Sequence, residues 1–193
     1  SLLKQNMNYY NQTFKNKDFS KKHLDPGEYE NCTFLACIFT QLDLGNFVFV
    51  ECKFEQCNLS MVALPKTTLN DVYFIDCKLV GIDFSICNQF ILSMSFKNCQ
   101  LKLASFFKMK LKAMSFDHCD LQEADFVEAD LSKSLFIESD LNGAVFENTN
   151  LEKADFRTAT NYSIDPEINR IKKARFSVPD VIGLLDKLDI RID

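Results

Sequence analysis

Residues 124 to 156 decide the fold and read ADFVE ADLSK SLFIE SDLNG AVFEN TNLEK ADF when they are divided into fives. A large apolar residue, alternately Phe and Leu, recurs at every fifth position from Phe126 to Phe156. Two residues before each of these stands a small side chain, such as Ala124, Ser134 or Thr149. A period of five fits neither a helix nor the two-residue alternation of a strand, so the chain must turn a corner every five residues.

The same period extends toward the N-terminus. It runs without a miss from Phe14 to Phe84, and it resumes at Phe96 after a frame slip of two residues at about residues 85 to 95. Four corners close a square coil of about twenty residues, and successive coils stack at the ~4.8 Å spacing of paired strands. We therefore predict an all-β protein, a right-handed quadrilateral β-helix in which residue n lies under residue n+20.

Length and composition fit one elongated domain of 193 residues, of which 47% are hydrophobic and 25% charged. The repeat predicts a lead-in over residues 1–13, a β-helix over residues 14–160 and a C-terminal module over residues 161–193. The sequence has no run of 18 apolar residues and lacks the features of a signal peptide at its N-terminus. We therefore expect a cytoplasmic protein without membrane contact.

The C-terminal module is predicted to be different in kind. Ser177 and Asp180 have the spacing of a capping box, and apolar residues follow at helical spacing. These features predict a short C-terminal α-helix over about residues 178 to 188 and a terminal strand after it. Because a solenoid leaves its last coil exposed, we expect this module to cap that end and to form a two-fold homodimer. The expected interface residues are Val181, Leu184, Leu185, Leu188, Ile190 and Ile192.

Eight cysteines raise the alternatives of a zinc site and of disulfides. Seven occupy the small inward position of the repeat, where a slender apolar side chain packs well, so we predict buried, reduced thiols and no metal site. These seven are Cys32, Cys37, Cys52, Cys57, Cys77, Cys99 and Cys119. Cys87 lies at the frame slip and is the one candidate for an exposed thiol.

Catalytic motifs are not apparent in the sequence. His23 and His118 fall on outward positions of the repeat, and neither lies within a recognisable motif. We find no glycine-rich phosphate loop, nucleophile elbow or metal-ligand spacing. The sequence therefore predicts no enzymatic activity and no cofactor.

Charge is distributed unevenly. Between Ser115 and Thr160 there are eleven Asp and Glu but three Lys and Arg. Five aspartates directly precede a core residue, where a short carboxylate accepts hydrogen bonds from the turn backbone: Asp120, Asp125, Asp130, Asp140 and Asp155. The other six are predicted to project outward as an acidic face that imitates DNA phosphates, with a merely solvated face as the alternative: Asp117, Glu123, Glu128, Glu138, Glu147 and Glu152.

Two further features bear on partners. The net charge of −5 argues against direct nucleic-acid binding. Immediately before the acidic stretch, a basic band interrupts the acidity: Lys97, Lys102, Lys108, Lys110 and Lys112.

The frame slip has two interpretations. A packing irregularity is favoured, and the alternative is a small contact loop formed by Phe90, Ile91 and Leu92.

The triplets Ala124-Asp125-Phe126 and Ala129-Asp130-Leu131 follow the pattern A(D/N)LXX and resemble the pentapeptide repeat family. Together with a C-terminal segment of the form LLxxLxIxI, starting at Leu184, the chain resembles the Qnr and MfpA group of quinolone-resistance proteins. The long loops of the Qnr branch are absent, so the MfpA arrangement is the closer comparison. This resemblance implies dimerisation through the C-terminal module and binding of a DNA-like rod to DNA gyrase or topoisomerase IV. The alternative is a generic interaction scaffold whose partner the sequence does not identify.

Overall fold

The computed structural model describes residues 7–192 and confirms a parallel β-solenoid built from square coils. Each coil has four faces, and each face contributes one inward residue per coil to a ladder along the axis. Face 1 carries Phe14, Phe34, Phe54, Phe74, Phe96, Phe116, Phe136, Phe156 and Phe176; face 2 carries Phe39, Leu59, Leu79, Leu101, Leu121 and Leu141; face 3 carries Leu44, Leu64, Phe84, Phe106, Phe126 and Phe146; face 4 carries Tyr29, Phe49, Leu69, Leu92, Leu111, Leu131, Leu151 and Ile171.

Ten strands form one parallel sheet in the described part of the chain, and they lie on faces 1 and 4. The pairing order is β1-β3-β5-β7-β6-β4-β2, with β8 on β7, β9 on β8 and β10 on β9. Faces 2 and 3 are joined by single-residue bridges instead, as at Asp120 and Asp140. The strands are β1 (Met7–Tyr10), β2 (Thr13–Lys15), β3 (Gly27–Glu30), β4 (Thr33–Leu35), β5 (Val48–Val50), β6 (Lys53–Glu55), β7 (Thr68–Ile75), β8 (Leu92–Lys97), β9 (Ser115–Asp117) and β10 (Leu135–Ile137).

The register agrees with the predicted repeat of twenty residues. Phe34 pairs with Phe54, whereas Phe74 pairs with Phe96, so the insertion adds two residues to one coil. The solenoid is longer than the period alone indicated. It begins in β1, and the ring of Phe176 still stacks on that of Phe156 with 5.4 Å between the centroids.

Aromatic stacking along face 1 forms the spine of the core. Its nine phenylalanines follow one another with ring centroids 4.6–5.6 Å apart, close to the strand spacing. Phenylalanines of face 3 meet them edge-on, as Phe126 does with Phe116 and Phe136. Each aromatic pair contributes about 0.5–1.5 kcal/mol beyond its buried area. The inward position therefore selects Phe because its ring matches the rise of one coil.

The corners recur every five residues, and most of them contain a residue in the left-handed conformation. At one corner the backbone N–H of Ala124 donates to the carbonyl oxygen of Leu121 at 3.1 Å, and Glu123 between them has a φ of 57°. This left-handed conformation costs a non-glycine residue about 1–2 kcal/mol. The hydrogen bonds and packing between coils offset that cost.

The aspartates predicted to support these turns do so. In each case Oδ1 accepts a hydrogen bond from the backbone N–H two residues later, at 2.9–3.1 Å. The acceptors are Asp120, Asp125, Asp130, Asp140 and Asp155. These carboxylates therefore shape the backbone in addition to carrying charge.

All eight cysteines are free and buried. Cys87, the one candidate for an exposed thiol, is buried as well, because the twenty-residue register still holds there: the N–H of Asn88 donates to the Thr67 carbonyl at 2.9 Å, and the insertion begins after it. Burial raises the pKa of Cys87 to about 12, and that of Cys119 likewise. Thiols of this kind are poor nucleophiles.

The C-terminal module differs from the prediction. In place of an α-helix and a terminal strand, the chain forms two short 3₁₀ helices, Asp180–Leu184 and Asp186–Leu188, and residues 189–192 are not in a strand. A Cβ at the buried Gly183 would lie 2.0 Å from the Tyr162 carbonyl oxygen, so close packing against the last coil, with a glycine inside the segment, opposes a regular helix. The two side chains of the predicted capping box, Ser177 and Asp180, bond to each other at 2.9 Å instead of to the backbone.

None of the helices described between residues 7 and 192 has the length and apolarity needed to cross a bilayer.

Replacing Asp130 by Ala is expected to lower the free energy of unfolding by about 1–2 kcal/mol, because Oδ1 of Asp130 accepts from both the Ser132 N–H and the Asn150 side chain. Asp130→Asn keeps that oxygen and should cost less than half as much. Urea unfolding monitored by circular dichroism measures both. Glu128→Gln, at an exposed corner, is the control and should stay within about 0.5 kcal/mol of the parent. Equal losses in the Ala and Asn variants would contradict the turn role.

Candidate interaction surface

The structure distributes the six predicted outward acids around the rod and does not place them on one face. All six are at least partly exposed. Their positions follow from the n+20 register. Asp117 lies on face 1, Glu138 at the corner of faces 1 and 2, Glu123 at the corner of faces 2 and 3, Glu147 on face 3, Glu128 at the corner of faces 3 and 4, and Glu152 on face 4.

Grouped by face, the acidity forms a three-sided surface. The segments on faces 1 to 3, residues 114–128, 134–148 and 154–168, contain eleven Asp and Glu, and Arg157 is their one Lys or Arg. We call this surface the acidic faces. The face-4 segments between them, residues 129–133 and 149–153, contain two Lys and two acids, so they carry no net charge and the net acidity stops at this side of the rod.

Several of the predicted acids are paired with cations from an adjoining coil. Lys102 Nζ lies 3.2 Å from Glu123 Oε1, and Lys108 Nζ lies 3.4 Å from Glu128 Oε2. Glu152 on face 4 similarly meets Arg170 at 3.3 Å. Both lysines belong to the basic band, which therefore partly neutralises the N-terminal end of the acidic faces. Exposed pairs of this kind contribute little to stability, so a partner can exchange them.

His118 joins two acidic residues from successive coils. Its Nδ1 lies 2.6 Å from Asp117 Oδ1, and its Nε2 lies 3.0 Å from Glu138 Oε2. The hydrogen bond to Asp117, together with the charges of both carboxylates, raises the pKa of His118. Because the folded-state pKa lies above the unfolded one, this bridge contributes its full stability below the unfolded histidine pKa of about 6.5 while the two carboxylates stay ionised, and the contribution disappears as pH rises through the folded-state pKa. Loss of the proton also makes the acidic faces more negative.

The ring of His118 should titrate above the ordinary value of about 6.5. Asp117→Asn should lower that midpoint, since it removes the first cause of the shift, and Glu138→Gln should lower it less. The NMR chemical shift of the His118 Hε1 proton against pH measures the midpoint directly. Glu147→Gln, which changes charge on another face, serves as the control. An unchanged midpoint in Asp117→Asn would show that the bridge does not hold the proton.

The predicted interface residues at the C-terminus divide into two groups. Leu184 is partly buried against the core, next to Gly183, which packs on Tyr162. The other five remain between 36% and 56% exposed, and the neighbouring Ile182 extends their apolar surface. The exposed five are Val181, Leu185, Leu188, Ile190 and Ile192.

Sequence reasoning missed the arrangement of charge by face. The signal was present in the period of twenty, because grouping residues by their position within the coil separates face 4 from the others. It also missed His118 as a bridge between Asp117 and Glu138, which lie in successive coils.

Among residues 7–192, no group of three or more His, Cys, Asp and Glu side chains is arranged to hold a metal ion.

A regular solenoid with a filled core and flat, charged outer faces has the architecture of a repeat scaffold. The family model described as a pentapeptide repeat region matches residues 47–126 and 109–177. The chain therefore belongs to the pentapeptide repeat family. No curated protein gives a significant match to the sequence.

Solved structures resemble the fold along most of its length. Full-length QnrB1, described as a plasmid-mediated fluoroquinolone resistance protein, is 17% identical and aligns over 95% of this chain and 100% of its own, with a TM-score of 0.55. A trypsin-treated variant of QnrB1 is 19% identical over 97% and 100% of the two chains, with a TM-score of 0.52. HetL from the cyanobacterium Nostoc is 13% identical over 90% and 89%, with a TM-score of 0.46. At these identities the QnrB1 matches establish the fold alone.

Proposed function

We propose that this protein binds a type II topoisomerase, DNA gyrase or topoisomerase IV, in place of duplex DNA, and that it has no enzymatic activity of its own. Occupation of the DNA site would also keep quinolones from the enzyme–DNA complex. The observation that carries the proposal is the three-sided surface of eleven carboxylates against one guanidinium.

The density of that charge is comparable to that of DNA. Three coils advance about 14 Å along the axis at the ~4.8 Å strand spacing. Duplex DNA carries one charge per about 1.7 Å, which gives about eight in the same length. Eleven carboxylates less Arg157, Lys102 and Lys108 leave a net charge of eight on faces 1 to 3, which is about the charge that a basic DNA site would meet.

The shape of the charged surface suits a saddle. A type II topoisomerase grips DNA in a basic saddle, and a saddle contacts its ligand on several sides. A rod that is acidic on three sides presents charge wherever the saddle touches it, while face 4 lies toward the open side. The fold is similar to that of QnrB1, which is described as a plasmid-mediated fluoroquinolone resistance protein, and the proposal would give this chain a role of the same kind.

Glu123→Gln/Glu128→Gln/Glu138→Gln/Glu147→Gln is expected to raise the concentration for half-inhibition of gyrase supercoiling at least about tenfold, because opposite charge sets the association. Lys102→Gln/Lys108→Gln should lower it, since the change frees the carboxylates of Glu123 and Glu128. Inhibition should weaken steeply with salt. Circular dichroism must show that both variants remain folded.

Two outcomes of this assay would reject DNA mimicry. One is a parent protein that does not inhibit supercoiling, and the other is a quadruple Gln variant that inhibits as well as the parent. Either result would leave the second candidate, a scaffold for a different protein partner, as the better function. A partner captured by that scaffold should then be indifferent to the four glutamates.

We further propose that two copies associate through the C-terminal module. The five exposed apolar residues and Ile182 adjoin one another at the end of the rod, where their burial would remove apolar surface from water. An end-to-end dimer would double the length of the charged rod. The 3₁₀ geometry leaves these side chains available on the outside while Leu184 holds the segment to the core.

Leu185→Asp is expected to produce a folded monomer, because a charge would be buried without a partner in the dimer interface. Light scattering coupled to size exclusion measures the mass. Leu103→Asp, at an exposed corner of the solenoid, is the matched control and should remain dimeric. A dimeric Leu185→Asp protein would place the interface elsewhere.

A further inference from the structure

Face 4 of the C-terminal half carries a charge opposite to that of the acidic faces. Its four segments in this region, residues 109–113, 129–133, 149–153 and 169–173, contain seven Lys and Arg but only Asp130 and Glu152 as acids. Bridges between successive coils connect Lys110, Asp130, Asn150 and Arg170 in one column, so these segments share a single face.

The corner between faces 4 and 1 forms a ladder of like charges. Lys133, Lys153 and Lys173 occupy it in three successive coils, each with a φ of 60–62°. None of the three makes an ion pair with another residue between positions 7 and 192. The strand spacing puts successive corner positions about 4.8 Å apart, where unit charges of one sign repel. The other corners from Asn98 onward place no like charges in successive coils, so this ladder is a distinct feature.

An apolar loop adjoins the N-terminal end of this basic face. Phe90 is 99% exposed and Ile91 is 54% exposed, in a protein whose other phenylalanines are mostly buried. The loop is held in place, because Nε2 of Gln89 donates to the Cys87 carbonyl at 3.1 Å and the Phe90 N–H donates to Asn88 Oδ1 at 3.1 Å. Leu92, where the loop rejoins face 4, lines a shallow cavity together with Lys110 and Lys112.

We propose that face 4 is a second interaction surface that binds an acidic, extended peptide segment of a protein partner, with Phe90 and Ile91 receiving an apolar side chain of that segment. The surface runs from Leu92 to Lys173 over four coil steps, or about 19 Å, which about six residues of extended chain span. Lys112, Lys133, Lys153 and Lys173 would pair with its carboxylates. The proposal does not depend on topoisomerase binding, which uses the acidic faces.

A protein segment fits this surface better than a nucleic acid. The apolar contact at Phe90 and Ile91 calls for an apolar side chain, and the acidic faces on either side repel an extended polyanion within a Debye length of about 8 Å. A narrow peptide can lie on face 4 alone and avoid that repulsion. A duplex, whose major groove alone is about 12 Å wide, would reach past its edges.

The test measures fluorescence anisotropy of a labelled twelve-residue peptide of alternating Glu and Ser that ends in two Leu, mixed with the full chain. Lys112→Gln/Lys133→Gln/Lys153→Gln/Lys173→Gln is expected to raise Kd at least about tenfold. Phe90→Ser should raise Kd about threefold or more. Gln is compatible with these corners, because Gln41 and Gln56 already adopt a positive φ at other coils.

A charge-matched control uses lysines outside face 4: Lys15→Gln/Lys53→Gln/Lys78→Gln/Lys97→Gln. It should change Kd by less than about twofold, and the face-4 quadruple variant should still inhibit gyrase if the parent does. The proposal is overturned if the peptide does not bind the parent, if the control loses as much affinity as the face-4 variant, or if a twelve-nucleotide single strand binds more tightly than the peptide. A failure of topoisomerase binding alone would leave it intact.

Discussion

Stacking of each inward side chain on its counterpart one coil away is the interaction on which the rest of this structure depends. The phenylalanine rings of face 1 repeat at nearly the spacing of paired strands, so packing and backbone hydrogen bonding are satisfied by the same rise. Each coil contacts only its neighbours, and stability accumulates along the rod. An insertion cannot be absorbed inside such a stack. The chain therefore expels Gln89, Phe90 and Ile91 as a loop and restores the register at Met94, which pairs with Val72.

The same constraint converts position in the sequence into position on the surface. Residues twenty apart share a face, so a bias at one position of the repeat becomes a charged column along the rod. Ion pairs follow this rule, since Lys108 meets Glu128 and His118 meets Glu138 across one coil step. Because the coil interior is filled by small and apolar side chains, nearly all charge is displayed outside. The outer surface can vary without loss of the fold, and this is why function must be argued from charge and exposure.

Two surfaces of opposite sign result from that freedom. Faces 1 to 3 of the C-terminal half carry negative charge at about the same number per ångström as DNA. Face 4 is basic and has an apolar loop at its N-terminal end. A rod with this division can present its acidic sides to one partner while its basic side stays accessible to another. His118 links the acidic surface to pH, because its proton lies between Asp117 and Glu138. The net charge of −5 conceals this arrangement.

The sequence alone determined the solenoid, its twenty-residue register, the two-residue insertion, the inward cysteines and the turn role of residues such as Asp125, because each follows from a strict local period. It placed the six acids outside but on an assumed common face, although the twenty-residue register, applied to each acid in turn, distributes them over several faces. The tertiary structure decided which acids are paired with cations, as Glu128 is with Lys108, and the burial of Cys87, which depends on where the register breaks. It also decided that the C-terminal segment forms 3₁₀ turns, because Gly183 packs directly on Tyr162, a contact that helical periodicity does not reveal.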